Sequence, residues 1–174
     1  LVSNPVLSEA FNKIANSESS LHLIGLISDG GVHSMQSHAI SIAKIAKNRG
    51  IERIFVHAFT DGRDTPPKSG IEFIRKFDAD LKNESGGRLA SLIGRFYSMD
   101  RDHRWDRTKH CYDLLVQGKG KKTSDIIESI ANSYKEGVTD EFLNPHVISE
   151  NSEPIGTIKD GDLIVSFNFR SDRM

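Results

Sequence analysis

His57-Ala58-Phe59-Thr60-Asp61-Gly62-Arg63-Asp64-Thr65-Pro66-Pro67 decides the fold, because an apolar strand pattern runs here directly into a loop of charges and prolines. The preceding Ile54-Phe55-Val56 favours a β-strand, and the residues from Lys68 have helical spacing. The charges therefore follow the carboxyl end of a strand, where ligands bind in open parallel α/β sheets. Pro66 and Pro67 stiffen the loop by fixing two φ angles. The charges either hold a ligand or are the solvated residues of an ordinary turn.

The same order of strand, polar loop and helix recurs on both sides of this stretch. It predicts parallel βαβ units with right-handed crossovers. We therefore predict a single α/β domain over residues 1–174, with three layers in which helices flank both faces of a mainly parallel sheet. Residues 118–122 are predicted to be a solvated basic turn, residues 145–149 a short strand and residues 150–159 a polar loop. Strand patterns occupy residues 21–27, 53–59, 88–93 and 163–169, and helical spacing occupies residues 5–16, 36–48, 68–82, 106–117 and 126–134.

Composition limits the classes of partner. The chain has 174 residues, of which 37% are hydrophobic, and 23 basic against 24 acidic residues give a formal net charge of -1. Such a balance provides no global basic field for nucleic acid. No apolar run approaches the roughly 18 to 20 residues that a membrane span requires, and no signal peptide is visible. The single cysteine, Cys111, excludes an internal disulfide and fits a reducing compartment, so we expect a cytoplasmic protein.

Four predicted strands end in polar loops, and parallel strands would bring these loops to one edge of the sheet. Guanidinium groups match phosphate and carboxylate oxygens bidentately. The cluster either binds a multiply charged small anion or is neutralised by Asp29, Asp61, Asp100 and Asp102. The candidate ligand-binding side chains, five of which are arginines, are His33, Arg63, Asp64, Arg95, Arg101, Arg170 and Arg173.

Other chemistry is less well supported by the residues. Asp29-Gly30-Gly31 with His33 fits a phosphate-cradling turn but matches no standard nucleotide motif, and His33 fits a capping or core histidine equally well. A metal site would recruit Asp29, His33, His38 and His57, whose spacing matches no familiar zinc or two-metal pattern. Trp105 lies among arginines and is expected to pack under one of them rather than stack on a base. We find no Ser-His-acid triad or activated cysteine.

Four blocks of the sequence resemble, in order, the signature blocks of the cofactor-independent phosphoglycerate mutases. Two small departures are Met35, where the family commonly has His, and Ser171, where it commonly has Pro. The resemblance spans nearly the whole chain but only one part of the family's protein. The blocks are residues 25–34 (GLISDGGVHS), residues 57–67 (HAFTDGRDTPP), residues 94–107 (GRFYSMDRD with RWDR) and residues 167–173 (FNFRSDR).

The resemblance implies a two-domain isomerase of glycolysis and gluconeogenesis. One domain, of the alkaline phosphatase superfamily, carries two Mn²⁺ or Mg²⁺ ions and a serine nucleophile; the other domain, inserted into it, holds the substrate. The reaction interconverts 2- and 3-phosphoglycerate through a phosphoserine intermediate. This chain corresponds to the inserted domain, so its expected partners are 2- or 3-phosphoglycerate and the enzyme's own phosphatase-like domain, and we expect no metal or cofactor to be bound by these residues.

The resemblance also assigns roles by motif. His33 would contact the phosphoryl group, while Arg63 and Asp64 would engage the glycerate moiety. Asp64 is the candidate for proton exchange with the glycerate hydroxyls. Arg95, Arg101, Arg170 and Arg173 would complete an anionic clamp. Without the nucleophile and the metals the chain alone is predicted to be inactive, and the alternatives are a non-catalytic anion-binding α/β module or part of a metal-dependent phosphatase.

Overall fold

Apolar strands form the centre of one mixed sheet, as their sequence pattern predicted. The computed structural model describes residues 4–15 and 17–173, with only the backbone described for Arg173. Within these ranges seven strands pair: β1 (Leu21–Leu26), β2 (Ile54–Thr60), β3 (Arg88–Gly94), β4 (Lys121–Thr123), β5 (His146–Glu150), β6 (Glu153–Pro154) and β7 (Leu163–Ser166). Their order is β4-β5-β3-β2-β1-β7, with β6 paired to β5.

Helices connect the parallel strands and are closed by local capping. The Asn4 side chain accepts the Leu7 N–H at 3.0 Å, and the Asp125 side chain caps the last helix in the same way. Two helices end at glycines with left-handed φ, Gly86 and Gly118. The helices in the described ranges are α1 (Pro5–Ile14), α2 (Gln36–Asn48), α3 (Gly70–Ser85), α4 (Arg95–Ser98), α5 (Trp105–Gln117) and α6 (Ile126–Lys135), with 3₁₀ turns at Asp140–Phe142 and Ser171–Arg173.

The sheet buries a separate apolar core on each face, because successive side chains of a strand point to opposite sides. The larger core packs alternate strand residues such as Leu23 and Val56 against α1, α2, α3 and α6. The smaller core packs Leu26, Phe59 and Ile93 against α5. The three-layer α/β architecture with a mainly parallel sheet is therefore confirmed. None of the helices in the described ranges is both long enough and apolar enough to cross a bilayer.

Several element boundaries differ from the prediction. The basic turn predicted at residues 118–122 contributes strand β4, which pairs in parallel with β5 although two of its three residues are lysines. Lysines suit this position because β4 lies at the edge of the sheet, where charge discourages pairing with other chains. Strand β5 runs antiparallel to β3, and the predicted polar loop after it contains β6. The last strand ends at Ser166 rather than at residue 169.

The four strands that precede the candidate residues are adjacent and parallel. Strand β2 pairs with β3 and β1, and β1 pairs with β7, all in parallel register. Their carboxyl ends therefore open at one edge of the sheet. Strands β2 and β3 lie on one side of β1 and β7 on the other, so the chain reverses its direction of winding at β1, the position at which such sheets form a ligand-binding crevice.

A chain of buried polar side chains crosses the sheet away from this edge. His22 contacts the Asp162 carboxylate through Nε2 at 3.1 Å and His57 Nε2 through Nδ1 at 2.9 Å. His57 Nδ1 in turn lies 2.7 Å from the Ser91 hydroxyl. With both rings neutral, every contact has one donor and one acceptor: the Ser91 hydroxyl donates to His57, His57 donates to His22, and His22 donates to Asp162. Burial, together with repulsion from His22, lowers the pKa of His57 to about 3.

Acid should destabilise the protein through His57. Between a folded-state pKa of about 3 and the ordinary value of 6.5, the unfolded chain binds a proton that the folded chain excludes. The contribution to the free energy of unfolding is complete above pH 6.5 and should decline on acidification, by up to about 1.4 kcal/mol per pH unit. Urea denaturation at neutral and acidic pH measures the decline. His57→Gln should reduce it and the exposed-site control His103→Asn should not, whereas equal declines in wild type and His57→Gln would contradict the assignment.

Candidate functional site

Asp61 organises the loop that follows β2. Its side chain is buried, and Oδ1 accepts the backbone N–H groups of Arg63 at 3.1 Å and Asp64 at 3.0 Å. Oδ2 accepts the Ser28 hydroxyl from the loop after β1 at 3.0 Å. Burial opposes ionisation, but hydrogen bonds from Asp64, Arg95, Arg63 and Ser28 together lower the pKa of Asp61 below its usual value. One buried carboxylate thus fixes the backbone that presents Arg63 and Asp64.

Arg95 joins three of the loops. It is the first residue of α4, directly after β3, and its buried guanidinium donates through Nη1 to Asp61 Oδ1 at 2.7 Å and to Asp64 Oδ2 at 2.6 Å. Its Nη2 lies 2.9 Å from His33 Nε2. Although burial disfavours its charge, the hydrogen bonds to Asp64 and Asp61 raise the pKa of Arg95. Since a guanidinium only donates, a hydrogen bond between these two groups requires His33 Nε2 to be the acceptor.

The loops after β1 and β7 hold His33 against this cluster. The Phe169 N–H donates to the His33 carbonyl at 2.8 Å, and Asn168 Oδ1 accepts the Leu26 N–H at 3.0 Å. The Ser34 hydroxyl donates back to the Leu26 carbonyl at 2.5 Å. His33 is buried as a result, and its Nε2 lies 3.2 Å from Asp64 Oδ2.

The 3₁₀ turn Asp140–Phe142, which is distant in sequence, packs against the ends of β2 and β3. A Cβ added at Gly62 would lie 2.7 Å from the Glu141 nitrogen, and one added at Gly94 would collide with the Glu141 carbonyl. Asp140 is fully buried and accepts the Gly70 N–H at 2.8 Å and the Tyr134 hydroxyl. Burial raises the pKa of Asp140. Glycines at the ends of β2 and β3 therefore let the turn approach closely enough to place Glu141 beside the arginines.

These elements enclose a cavity of about 250 Å³. It is charged rather than apolar: beside Phe96 and Met99, its walls carry three acids, Asp100, Asp102 and Glu141, and four arginines, Arg63, Arg95, Arg101 and Arg107. Arg63 is 54% exposed, and its nearest carboxylate is Glu141, with Nη1 and Oε1 3.6 Å apart. Arg101 is 55% exposed and lies 4.0 Å from Asp172. These two guanidinium groups are open to an incoming anion.

The remaining predicted residues lie on the same edge of the sheet. Arg170 donates to Asp172 through Nε at 2.7 Å and Nη2 at 3.2 Å, so Asp172 links Arg170 to Arg101. The side chain of Arg173 lies outside the described residues. The structure therefore brings together the other six predicted side chains: His33, Asp64 and Arg95 in direct contact, Arg63 and Arg101 with Arg95 around the cavity, and Arg170 beside Arg101 through Asp172.

The explanation that nearby acids neutralise the arginines holds for part of the cluster. Arg95 is neutralised by Asp61 and Asp64, whereas among the described residues Arg63 and Arg101 have only distant carboxylates. Asp172 and Glu141 are the acids nearest to these two, and neither was among the four acids expected. Sequence reasoning also missed Arg107 as a cavity residue. Glu141 carries no local signal, because it reaches the site only through the packing of its turn on Gly62 and Gly94.

One lesser prediction is wrong. Trp105 does not lie under an arginine: it is exposed and tilts against His103, while Arg107 stacks on Phe96 with 3.7 Å between the guanidinium carbon and the ring centroid. His57, one of the side chains that a metal site would have recruited, is held in the buried network described above. Across the described ranges no three His, Cys, Asp or Glu side chains come together as a metal site would require.

Comparison with known proteins identifies relatives along the entire chain. A sequence profile described as "BPG-independent PGAM N-terminus" matches residues 1–174. The 2,3-bisphosphoglycerate-independent phosphoglycerate mutases of Parabacteroides distasonis and Bacteroides fragilis are 47% and 49% identical over 173 residues, or 99% of this chain. That of Clostridium tetani is 48% identical over 170 residues. The match covers only 34%, 34% and 33% of these proteins, so the chain spans about a third of the length of its curated relatives.

A solved structure has the same fold. The crystal structure of Leishmania mexicana phosphoglycerate mutase at low cobalt concentration superposes with a TM-score of 0.90 and 34% sequence identity. The match covers 98% of this chain and 33% of that one.

Removing the charge of Arg95 should destabilise the protein far more than removing that of Arg63. Arg95→Met leaves two carboxylates, Asp61 and Asp64, without their buried partner, so we expect the free energy of unfolding to fall by about 3–5 kcal/mol. Arg63→Met, at an exposed position of the same site, should cost less than about 1 kcal/mol. Urea denaturation of both variants measures the difference, and similar losses would show that the Arg95 cluster does not hold the loops together.

Proposed function

Because the chain belongs to the family of the 2,3-bisphosphoglycerate-independent phosphoglycerate mutases, whose N-terminal part it matches throughout, we propose that it is the substrate-holding domain of such an enzyme. It would bind 2- and 3-phosphoglycerate while the phosphoryl group passes through a serine of a second, phosphatase-like domain. The observation that carries this proposal is the charged cavity beside His33, Asp64 and Arg95, at the carboxyl ends of four parallel strands.

The mixture of charges in the cavity suits this substrate class. Phosphoglycerate presents a carboxylate, a phosphoryl group and a hydroxyl group. The exposed guanidinium groups of Arg63 and Arg101 supply forks for the two anionic groups. The carboxylates of Asp102 and Glu141 are acceptors for a hydroxyl, whereas a simple anion would gain nothing from them. This pattern favours a hydroxylated acid phosphate over an unspecific phosphate-binding module.

Within the reaction, these residues bind, orient and exchange protons. Arg63 and Arg101 would hold the glycerate moiety with Arg170, and His33 would contact the phosphoryl group. Asp64 would exchange a proton with the glycerate hydroxyls, the role that the family motif assigns to it, and its Oδ2 is held by Arg95 at 2.6 Å and lies 3.2 Å from His33 Nε2. Fixing these groups beforehand removes the entropic cost of aligning them during the reaction.

In this proposal the metal ions are bound by the second domain and not by this chain. The described residues do not fit the pair of Mn²⁺ or Mg²⁺ ions that the resemblance implies, since no cluster of three ligating side chains exists among them. We therefore place the ions and the nucleophile in the second domain, which is also the expected protein partner, and derive no step through a metal for this chain.

Substrate binding tests the proposed site. Replacing Arg63 or Arg101 by Met should weaken 3-phosphoglycerate binding about 10-fold or more, because a charge-assisted hydrogen bond contributes about 1.5–3 kcal/mol. Isothermal titration calorimetry measures the affinity. Arg75→Met is a matched control, since Arg75 is 52% exposed on α3 and remote from the cavity. Equal binding by wild type, Arg63→Met and Arg101→Met would rule out the site.

The chain alone should not catalyse the mutase reaction. Positioning residues supply only part of the reduction in the barrier when the nucleophile and the metals are missing. A coupled assay for conversion of 3-phosphoglycerate to 2-phosphoglycerate, with Mn²⁺ added, should show no turnover above buffer. Turnover by the purified chain would show that the catalytic groups reside within these residues. It would contradict the proposal that this domain binds the substrate and the second domain supplies the nucleophile and the metals.

A further inference from the structure

The fourth arginine of the cavity, Arg107, has no role in the motif-based assignment. It lies in the first turn of α5 and lines the cavity with Arg63, Arg95 and Arg101. Its environment differs from theirs. Arg95 is fully paired with carboxylates, and Arg63 and Arg101 are more than half exposed to solvent.

Arg107 is mostly buried and poorly paired. Its side chain is only 22% exposed, yet within the described ranges its one hydrogen-bond acceptor is Asp100 Oδ1, at 3.4 Å from Nη1. A guanidinium carries five N–H donors. Asp100 is itself occupied, because its Oδ2 accepts the backbone N–H groups of Asp102 at 3.1 Å and Arg104 at 2.8 Å. Most of the donors of Arg107 are therefore left to the cavity.

Phe96 fixes the direction of these donors. The guanidinium carbon of Arg107 lies 3.7 Å from the centroid of the Phe96 ring, so one face of the guanidinium is covered. A planar guanidinium stacked in this way keeps its N–H groups in one plane, along its edge. The stack and the Asp100 contact together hold the group in place before any ligand arrives, which lowers the entropic cost of binding.

We propose that Arg107 is a further substrate-binding residue, donating to a carboxylate or phosphoryl oxygen of the molecule held in the cavity. A charge that is mostly shielded from solvent and has unused donors is stabilised by an anionic acceptor, and Arg107 lines the cavity. The identity of that acceptor as part of phosphoglycerate rests on the proposed function, whereas the choice of Arg107 as a donor to it rests on the geometry.

Titration of two variants tests the assignment. Arg107→Met should weaken 3-phosphoglycerate binding about 10-fold or more, and Arg107→Lys should recover part of the loss, since it restores the charge but not the fork. Arg104→Met is the matched control: it removes the same charge three positions away, from an exposed side chain outside the cavity, and should change binding less than about 2-fold. Unchanged binding by Arg107→Met overturns the proposal.

A second measurement does not depend on the folding of a binding-deficient variant. In wild type with isotope-labelled arginine, the side-chain N–H resonance of Arg107, assigned by its loss in Arg107→Lys, should shift on titration with 3-phosphoglycerate. Shifts confined to Arg63 and Arg101 would overturn the inference and leave the proposed function standing. A shift of Arg107 with inorganic phosphate but not with 3-phosphoglycerate would support the anion site and count against the proposed substrate.

Discussion

The buried carboxylate of Asp61 is the constraint on which the site depends. A carboxylate out of contact with water is stable only when its oxygens accept hydrogen bonds, and four donors from three loops meet this need. Satisfying Asp61 therefore fixes the loop after β2, ties it to Ser28 after β1 and draws in Arg95 after β3. The same arrangement orders the positions of Arg63, Asp64 and His33.

Arginines serve two different purposes around this carboxylate. Arg95 stabilises the fold of the loops, since its charge is neutralised by two carboxylates. Its removal would leave these carboxylates without a partner. Arg63 and Arg101 remain open to solvent with distant counter-charges, which keeps them available to an anion. A nearly neutral protein thus maintains a locally cationic cavity, because the acids closest to Arg63 and Arg101 are too far away for a full hydrogen bond.

The close approach of one backbone segment to the ends of β2 and β3 forms another wall of the cavity. The 3₁₀ turn Asp140–Phe142 sits where side chains on Gly62 and Gly94 would stand, and Asp140 is held by Gly70 and Tyr134. The turn carries Glu141 to Arg63 over a separation of many residues along the chain. A charged wall of this kind adds carboxylate acceptors to a cavity whose other charged side chains are arginines.

The sequence by itself determined the order of the four central strands and the longer helices, the parallel core and the loops in which most of the charged side chains lie. Hydrophobic periodicity and capping residues are local, so they can be recognised along the chain, as for α1 after Asn4 and α6 after Asp125. The four signature blocks further identified the family. Only the tertiary structure decided that β4 pairs with β5, that Arg107 stacks on Phe96 rather than on Trp105, and that Glu141 joins the cavity. These outcomes depend on which surfaces meet when the chain folds. Contacts between residues that are far apart in sequence produce no periodic pattern that could be recognised along the chain.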